Sequence, residues 1–362
     1  MHLTPTPSRG RRWTAAGLVA LALAAIGRPA GAEPLTPVTF IVVNNLFSTP
    51  AFVAVENGYW TAQGLNVRLK LTASGRQVTQ SLQAGEAQLG HAALSTTTAS
   101  ARASGNLVKG VMAYYNAADF IAKAGGRAII ARKDRGIDAS PKSIEDKRIG
   151  YLKGSTNDVY LRQWFKREKL DIGKAQLVNV PVENMPITLL QGQVDAVVPW
   201  EPYTAQALRE LGANALVISR GEAGLVTDII GVVAHDAWIA QNYDLIEKFS
   251  IGIARAAQFI RQNPAGAAEI DTRYLDGLNV ADAVEGLKFL AWDPRISVCT
   301  AEGLVRTGND MIKDGLIKSK PFTAEDFYDD TVLKRVMSAY PQYFSDLPSL
   351  PRSIEECKGK LP

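Results

Sequence analysis

Small hydroxyl residues recur where the sequence changes from a predicted strand to a predicted helix. Such a point presents backbone N–H groups that no helical carbonyl accepts, together with the partial positive charge of the helix dipole. Helix ends of this kind bind sulfonate, phosphate or carboxylate groups without a dedicated arginine. The segments are Ser48-Thr49, Ser74-Gly75, Ser95-Thr96-Thr97, Gly154-Ser155-Thr156 and Glu183-Asn184.

Each of these segments taken alone is also an ordinary helix cap, since Ser, Thr and Asn are preferred there. Most of them, however, follow a predicted strand directly. In an open α/β sheet, ligands bind beyond the carboxyl ends of the strands. The recurrence in both halves of the chain therefore favours an anion-binding cleft over a set of unrelated caps.

The chain carries none of the common catalytic signatures: HExxH, GxSxG, CxxC and GxxxxGK[ST] are all missing. With only two Cys and three His, a metal site built from these residues is improbable. Nothing around His91 or His235 marks either as a catalytic base. We therefore expect a binding protein with no catalytic residue, no metal and no cofactor.

The strand and helix signals that place these loops alternate along the chain, which predicts βαβ units and mostly parallel sheets. From Ile239 onward the sequence is mainly helical, with an apolar stripe over residues 244–262. The predicted strands are Val38–Val43, Leu65–Leu71, Leu89–Ala93, Val108–Ala113, Ala128–Arg132, Arg148–Leu152, Leu177–Val180, Ala196–Pro199, Leu216–Ser219 and Ile229–Ala234.

The first 32 residues have the features of a secretion signal. A basic stretch with Arg9, Arg11 and Arg12 precedes about twelve apolar residues, and Ala30-Gly31-Ala32 forms a small-x-small cleavage site. An uncleaved N-terminal anchor is the alternative. The arginine pair also permits the twin-arginine route, although the general secretory route fits better. We expect a periplasmic protein.

Charge and cysteine content fit that location. The 362 residues hold 40 Lys and Arg against 36 Asp and Glu, and the leader accounts for the excess of four. A nearly neutral body argues against nucleic acid as a partner. In an oxidising compartment Cys299 and Cys357 are predicted to form a disulfide, with two separate buried thiols as the alternative.

Four segments in order resemble the nitrate/sulfonate/thiamine-precursor group of periplasmic solute-binding proteins that serve ABC importers. VNNLFSTPAFVAVENGYWTAQGLNVRL resembles the opening of that group, and SLQAGEAQLGHAA resembles its ALxxGxxDxG segment, with Gln88 where Asp is usual. RIGYLKGSTND resembles the start of its second domain, and LLQGQVDAVVPWEPY its GxxDAxxxWEP segment. One enzyme-like cousin makes a pyrimidine precursor with a Cys-rich stretch, which is missing from this sequence.

The resemblance implies an α/β fold of type II periplasmic binding proteins: two lobes, each a small, mostly parallel sheet flanked by helices, with the ligand cleft between them. Residues 33–120 and 236–362 would form the first lobe and residues 121–235 the second. It also implies a monomer whose partners are a small-molecule ligand and a membrane ABC permease.

Carried over residue by residue, the resemblance places the site on loops of both lobes. Tyr114, Tyr115 and Asn116 would lie where the chain crosses from the first lobe to the second. The ligand-binding residues expected on this basis are Asn44, Asn45, Leu46, Ser74, Gly75, Ser95, Thr96, Tyr115, Asn116, Ser155, Thr156, Trp200 and Glu201. Arg76 follows the second loop and either faces an anionic ligand or points to solvent.

The ligand class stays open at this point. Hydroxyl-capped helix ends favour a small organic anion of the sulfonate, nitrate or carboxylate class. Glu201 and the aromatic residues favour a pyrimidine or another aromatic ligand, unless Glu201 pairs with an arginine and the aromatics belong to the core. A sensor module that signals to a membrane receptor would share the same sequence features.

Overall fold

The structure is a computed structural model that describes residues 34–116, 125–221, 225–227 and 229–357. The predicted secretion signal lies outside these ranges. Within them, no helix combines the length and the apolar character that a membrane crossing requires.

The first sheet is built from strands β1 (Thr36–Val43), β2 (Leu65–Thr72), β3 (Leu89–Ala93), β4 (Val108–Asn116) and β10 (Ile229–His235). Their order is β2-β1-β3-β10-β4. Strands β1 to β4 run in one direction, and β10 is antiparallel to both of its neighbours. β-branched and other apolar residues dominate β1, β4 and β10, which suits burial on both faces, whereas the edge strand β2 alternates apolar and polar residues.

The second sheet repeats this plan with strands β5 (Ala128–Arg132), β6 (Arg148–Tyr151), β7 (Gln176–Asn179), β8 (Ala196–Val197) and β9 (Ala215–Arg220). Their order is β7-β6-β8-β5-β9, and β5 is the antiparallel strand. Two mostly parallel sheets confirm the predicted α/β class.

Helices connect and cover the strands. Their bounds are α1 Thr49–Glu56, α2 Gly75–Gln83, α3 Thr96–Ala103, α4 Thr156–Arg167, α5 Met185–Leu190, α6 Tyr203–Leu211, α7 Asp236–Ile239, α8 Tyr243–Gln262, α9 Pro264–Asp271, α10 Val280–Leu287, α11 Val298–Lys313 and α12 Thr331–Ala339. The predicted apolar stripe of α8 is buried, and α8 packs on α1 and α12. In α4, the predicted face of Leu161, Trp164 and Phe165 forms part of the core under the second sheet.

The predicted boundary of the second lobe needs one correction. Strand β10 belongs to the first sheet, where it pairs with β3 and β4. The chain therefore returns to the first lobe between Arg220 and Ile229, before residue 235. Sequence could not show this, because the partner of β10 is more than a hundred residues away. We call the sheet β2-β1-β3-β10-β4 with its helices the first lobe, and the sheet β7-β6-β8-β5-β9 with α4 to α6 the second lobe.

Cys299 and Cys357 form a disulfide in the structure, with their Cα atoms 5.5 Å apart. Cys299 lies in the first turn of α11, and Cys357 ends a short 3-10 helix over Ile354–Cys357. Both side chains are buried. The bond ties the C-terminal segment to the first lobe.

Candidate ligand-binding cleft

The N-termini of α2 and α4, one from each lobe, line the same cavity. Ser74 caps α2 by accepting a hydrogen bond from the N–H of Gln77 at 3.4 Å. Ser155 caps α4 by accepting from the N–H of Asn157 at 3.2 Å. The cavity has a volume of about 790 Å³. Two helix dipoles therefore direct partial positive charge towards the same cavity.

Cationic side chains strengthen this polarity. Arg76 and Lys153 follow and precede the two helix starts, and both line the cavity at its exposed edge. Arg127 lies deeper, only 3% exposed, where its Nη1 donates to Asn157 Oδ1 at 2.8 Å. No Asp or Glu is found among the described residues that line the cavity. The cavity wall formed by these described residues is suited to a ligand with negative charge.

The two lobes touch at the edge of this cavity. The hydroxyls of Thr96 in the first lobe and Thr156 in the second lie 2.6 Å apart. Ion pairs also connect elements of the two lobes, from Arg209 to Asp282 at 3.0 Å and from Lys166 to Asp314 at 2.7 Å. A ligand in the cavity would be held between two bodies that are already in contact.

Three buried side chains of the cavity wall, Asn45, Asn106 and Trp200, have unsatisfied polar atoms. Asn45 is 4% exposed, and its Oδ1 is buried with no hydrogen-bond partner in the described part of the chain. Trp200 is 8% exposed, and its Nε1 is likewise buried with no hydrogen-bond partner in the described part of the chain. Burying such a group without a partner costs about 1 to 3 kcal/mol. The N–H of Trp200 can donate to an anion, whereas the orphan Oδ1 atoms of Asn45 and Asn106 can only accept from a donor group.

The structure brings half of the predicted ligand-binding residues into this cavity. Those that line it are Asn45, Ser74, Gly75, Arg76, Ser155, Thr156 and Trp200. Those that do not are Asn44, Leu46, Ser95, Thr96, Tyr115, Asn116 and Glu201. The hydroxyls of Ser74 and Ser155 also act as ordinary helix caps, which was the alternative considered from sequence, since each accepts a hydrogen bond from an N–H of its own helix.

Six of the seven predicted residues outside the cavity have structural partners, and the exception is Asn44, whose buried Oδ1 has none in the described part of the chain. Ser95 Oγ donates to the carbonyl of Thr227 at 2.8 Å. Tyr115 packs its ring edge against Phe47, with ring centroids 4.8 Å apart. Asn116 Nδ2 donates to the carbonyl of Arg295 and to Thr300 Oγ1, both at 3.0 Å. Leu46 is fully buried, and its N–H donates to the carbonyl of Glu201.

Glu201 is committed to an ion pair. Its side chain is fully buried, Oε1 accepts from Arg220 Nη2, and Oε2 accepts from the N–H of Ala205 at 3.1 Å. Burial raises the pKa of the Glu201 carboxyl, and the Arg220 guanidinium opposes that rise. Sequence analysis considered two roles for Glu201, contact with a nitrogenous ligand and pairing with an arginine, and the structure shows the pairing.

Several lining residues were missed from sequence, among them Phe47, His91, Arg127 and Lys153. His91 is the informative case, since it interrupts the otherwise apolar strand β3 and is 2% exposed. A lone polar residue within a buried strand is a signal that could have been used. Arg127 carries a similar signal immediately before the apolar strand β5.

The burial of His91 has a consequence for stability. Burial lowers the pKa of its imidazole from 6.5 to about 3. Below pH 6.5 the unfolded chain therefore binds a proton that the folded chain does not, and stability falls as the pH drops towards 3. From pH 7 to pH 4 the loss should be about 3 kcal/mol.

Urea denaturation at a series of pH values measures this loss. The variant His91→Gln lacks the titrating group, so its stability should depend less steeply on pH by that amount. Parallel curves for the two proteins would contradict the expectation.

Comparison with known proteins assigns the chain to a family. The family model described as "NMT1/THI5 like" matches residues 45–267, which cover the second lobe and a large part of the first. The chain belongs to this family. The assignment agrees with the resemblance found in the sequence.

Solved structures share the fold. The alkanesulfonate-binding protein SsuA from Xanthomonas axonopodis pv. citri, bound to MOPS, has a TM-score of 0.71 at 16% identity, covering 83% of this chain and all of that one. The periplasmic nitrate-binding protein NrtA from Synechocystis PCC 6803 also has a TM-score of 0.71, at 13% identity, covering 88% of this chain and 92% of that one. This NMT1/THI5-like protein therefore has the two-lobed fold of periplasmic binding proteins.

A curated relative has a different activity. The 4-amino-5-hydroxymethyl-2-methylpyrimidine phosphate synthase of Aspergillus parasiticus is 23% identical over 234 residues, which is 62% of this chain. The chain spans 66% of that relative's length. Membership of the NMT1/THI5-like family is thus compatible with both binding proteins and a synthase.

Proposed function

We propose that this protein is the ligand-binding component of an ABC import system, secreted to the periplasm, that captures a small organic anion between its two lobes. The observation that carries the proposal is the convergence of two helix N-termini and three cationic side chains on one cavity without a described carboxylate. Each contribution favours negative charge in the cleft. Closure of the lobes would complete the site around the ligand.

The size of the cavity supports an organic anion over a bare inorganic one. Sites for organic small molecules typically enclose about 300 to 1,000 Å³, and this cavity has about 790 Å³. Phe47 and Trp200 add aromatic surface next to the polar wall. The fold shared with a sulfonate-binding protein bound to MOPS agrees with a ligand that joins an apolar body to an acidic group.

Binding rather than synthesis is the better proposal for this chain. The two cysteines pair with each other outside the cavity. Glu201, the acidic residue first considered for a nitrogenous ligand, is paired with Arg220. Delivery to a permease and signalling to a membrane receptor both begin with the same capture step, and we propose delivery.

Native mass spectrometry of the purified protein, followed by thermal shifts with a ligand panel, tests the proposal. The panel contains MOPS, a short alkanesulfonate, benzoate, nitrate and a pyrimidine. A ligand at a hundred times its Kd stabilises the folded state by about 2.7 kcal/mol, a shift of several degrees. We expect shifts with the organic anions. A shift with the pyrimidine alone would contradict the anionic class.

Charge variants separate specific capture from general stabilisation. The double variant Arg76→Gln/Lys153→Gln should weaken binding of the active anion roughly tenfold, because exposed charge pairs contribute about 0.2 to 1 kcal/mol each and ligand contact adds desolvation. Lys288→Gln is the matched control, since Lys288 is exposed and lies outside the cavity. Equal losses in both proteins would contradict the assignment of the cavity.

A further inference from the structure

His91 has a buried hydrogen-bond arrangement that the predicted site did not include. Its ring lines the cavity, and its Nδ1 contacts Tyr114 Oη and lies 3.2 Å from Ser48 Oγ. No side chain of the described ranges bonds its other nitrogen, Nε2. The ring therefore uses one nitrogen inside the first lobe, which leaves the other for the cavity.

The neighbouring hydroxyls decide which nitrogen carries the proton. Ser48 Oγ donates to the carbonyl of Val43 at 2.6 Å, so its proton is already used. Tyr114 is 1% exposed, and in the described part of the chain its hydroxyl bonds only His91. Burial raises the pKa of Tyr114 well above its usual value, so the phenol keeps its proton.

The two neutral tautomers of His91 differ in which hydrogen-bonding groups around the ring are satisfied. If Nδ1 carried the proton, the O–H of Tyr114 would be buried without an acceptor, at a cost of about 1 to 3 kcal/mol. If Nδ1 accepts from Tyr114, that proton is satisfied and the ring proton lies on Nε2. The second arrangement makes the cavity side of the ring a neutral N–H donor.

This donor has suitable neighbours in the cavity wall. Trp200 presents the unpartnered Nε1–H from the second lobe, whereas the orphan Oδ1 of Asn45 in the first lobe can only accept and would suit a donor group of the ligand, not its anionic end. Donors from both lobes would thus face one ligand. Neutral N–H groups hold an anion without bringing a compensating charge into a buried site.

We propose that His91 binds the captured anion by donating a hydrogen bond from Nε2, and that Tyr114 is the positioning residue that fixes this tautomer. The proposal rests on the proposed function, since it assumes an anionic ligand in the cleft. It extends that function by naming a specificity-determining donor and the residue behind it.

The tautomer can be measured without any ligand. The sequence has only three histidines, so selective ¹⁵N-histidine labelling gives few signals, and His235→Gln assigns them. Proton–nitrogen correlation spectra of the full protein should show His91 protonated on Nε2 in the wild type. In Tyr114→Phe the proton should move towards Nδ1, where Ser48 Oγ can accept it. A wild-type ring protonated on Nδ1 overturns the proposal.

Affinity for MOPS provides the second readout. Tyr114→Phe and His91→Leu should each weaken binding by about tenfold, the equivalent of one buried hydrogen bond of about 1.4 kcal/mol. His91→Gln supplies an N–H at a similar reach and should stay within about threefold of the wild type. Tyr160→Phe is the matched control, since Tyr160 is a buried tyrosine outside the cavity whose hydroxyl bonds Ser219 at 2.5 Å.

The outcomes separate the two proposals. Unchanged affinity in His91→Leu, with binding lost in the Arg76/Lys153 double variant, overturns the role of His91 and leaves the proposed function intact. No binding of MOPS or any other panel anion by the wild type overturns the proposed function, and the role of His91 in anion binding falls with it.

Discussion

Replacing Glu201 with alanine should lower the free energy of unfolding by about 3 to 5 kcal/mol, because it leaves a buried arginine without its partner. Arg220 has 15% of its side chain exposed, and its Cζ lies 3.2 Å from the ring centroid of Phe289. The N–H of Ala205 also loses its acceptor. Urea denaturation of the purified variant measures the loss.

A double-variant cycle distinguishes lost pairing from lost packing. In Glu201→Met/Arg220→Met no buried charge remains, so most of the stability should return. Affinity for MOPS should be unchanged in Glu201→Gln, which keeps the shape of the side chain. A normal stability in Glu201→Ala together with lost ligand binding would instead make Glu201 a ligand contact.

Replacing both Cys299 and Cys357 with serine should lower the free energy of unfolding by about 4 kcal/mol. The bond joins positions 58 residues apart, and the chain-entropy model gives about 4 kcal/mol for a loop of that length. Denaturation of the oxidised wild type and of the double variant measures the difference. Ligand affinity should not change, since neither cysteine lines the cavity.

A reducing agent provides the control for the disulfide. It should destabilise the wild type towards the level of the double variant and leave the double variant unaffected. A loss well below 1 kcal/mol would mean that the unfolded chain gains little freedom when the C-terminal segment is released.

Local sequence signals were sufficient to locate the strands and six of the twelve α-helices in the described ranges. β3 and β5 occupy the predicted residues, and β1 and β2 differ from prediction by two residues or fewer at each end. Apolar periodicity and the glycines and hydroxyl residues between elements are local features, so they can be read without knowing the fold. The pairing of β10 depends on distant strands, and there the predicted lobe boundary was wrong.

The sequence predicted which loops line the cavity better than it predicted which residues of those loops do so. Asn45 lines the cavity, whereas its neighbours Asn44 and Leu46 do not. Consecutive residues of an extended or turning segment point in different directions, so a motif that identifies the loop does not identify the inward side chain. His91 and Arg127 stand out in the sequence as polar residues at apolar strands, but that both line the same cavity follows only from how the two sheets are arranged.

The way the two sheets are joined limits how the cleft can open. At the edge of the first sheet Asn116 is paired with Ile229, and in the second sheet Ala128 is paired with Arg220. The strand ends at which the chain leaves the first sheet and returns to it are therefore neighbours, and so are the corresponding ends in the second sheet. Two neighbouring connections restrict twisting between the lobes more than a single connection would, so we expect the second lobe to move mainly by bending against the first. On that expectation, the size of the ligand sets how far the two lobes close.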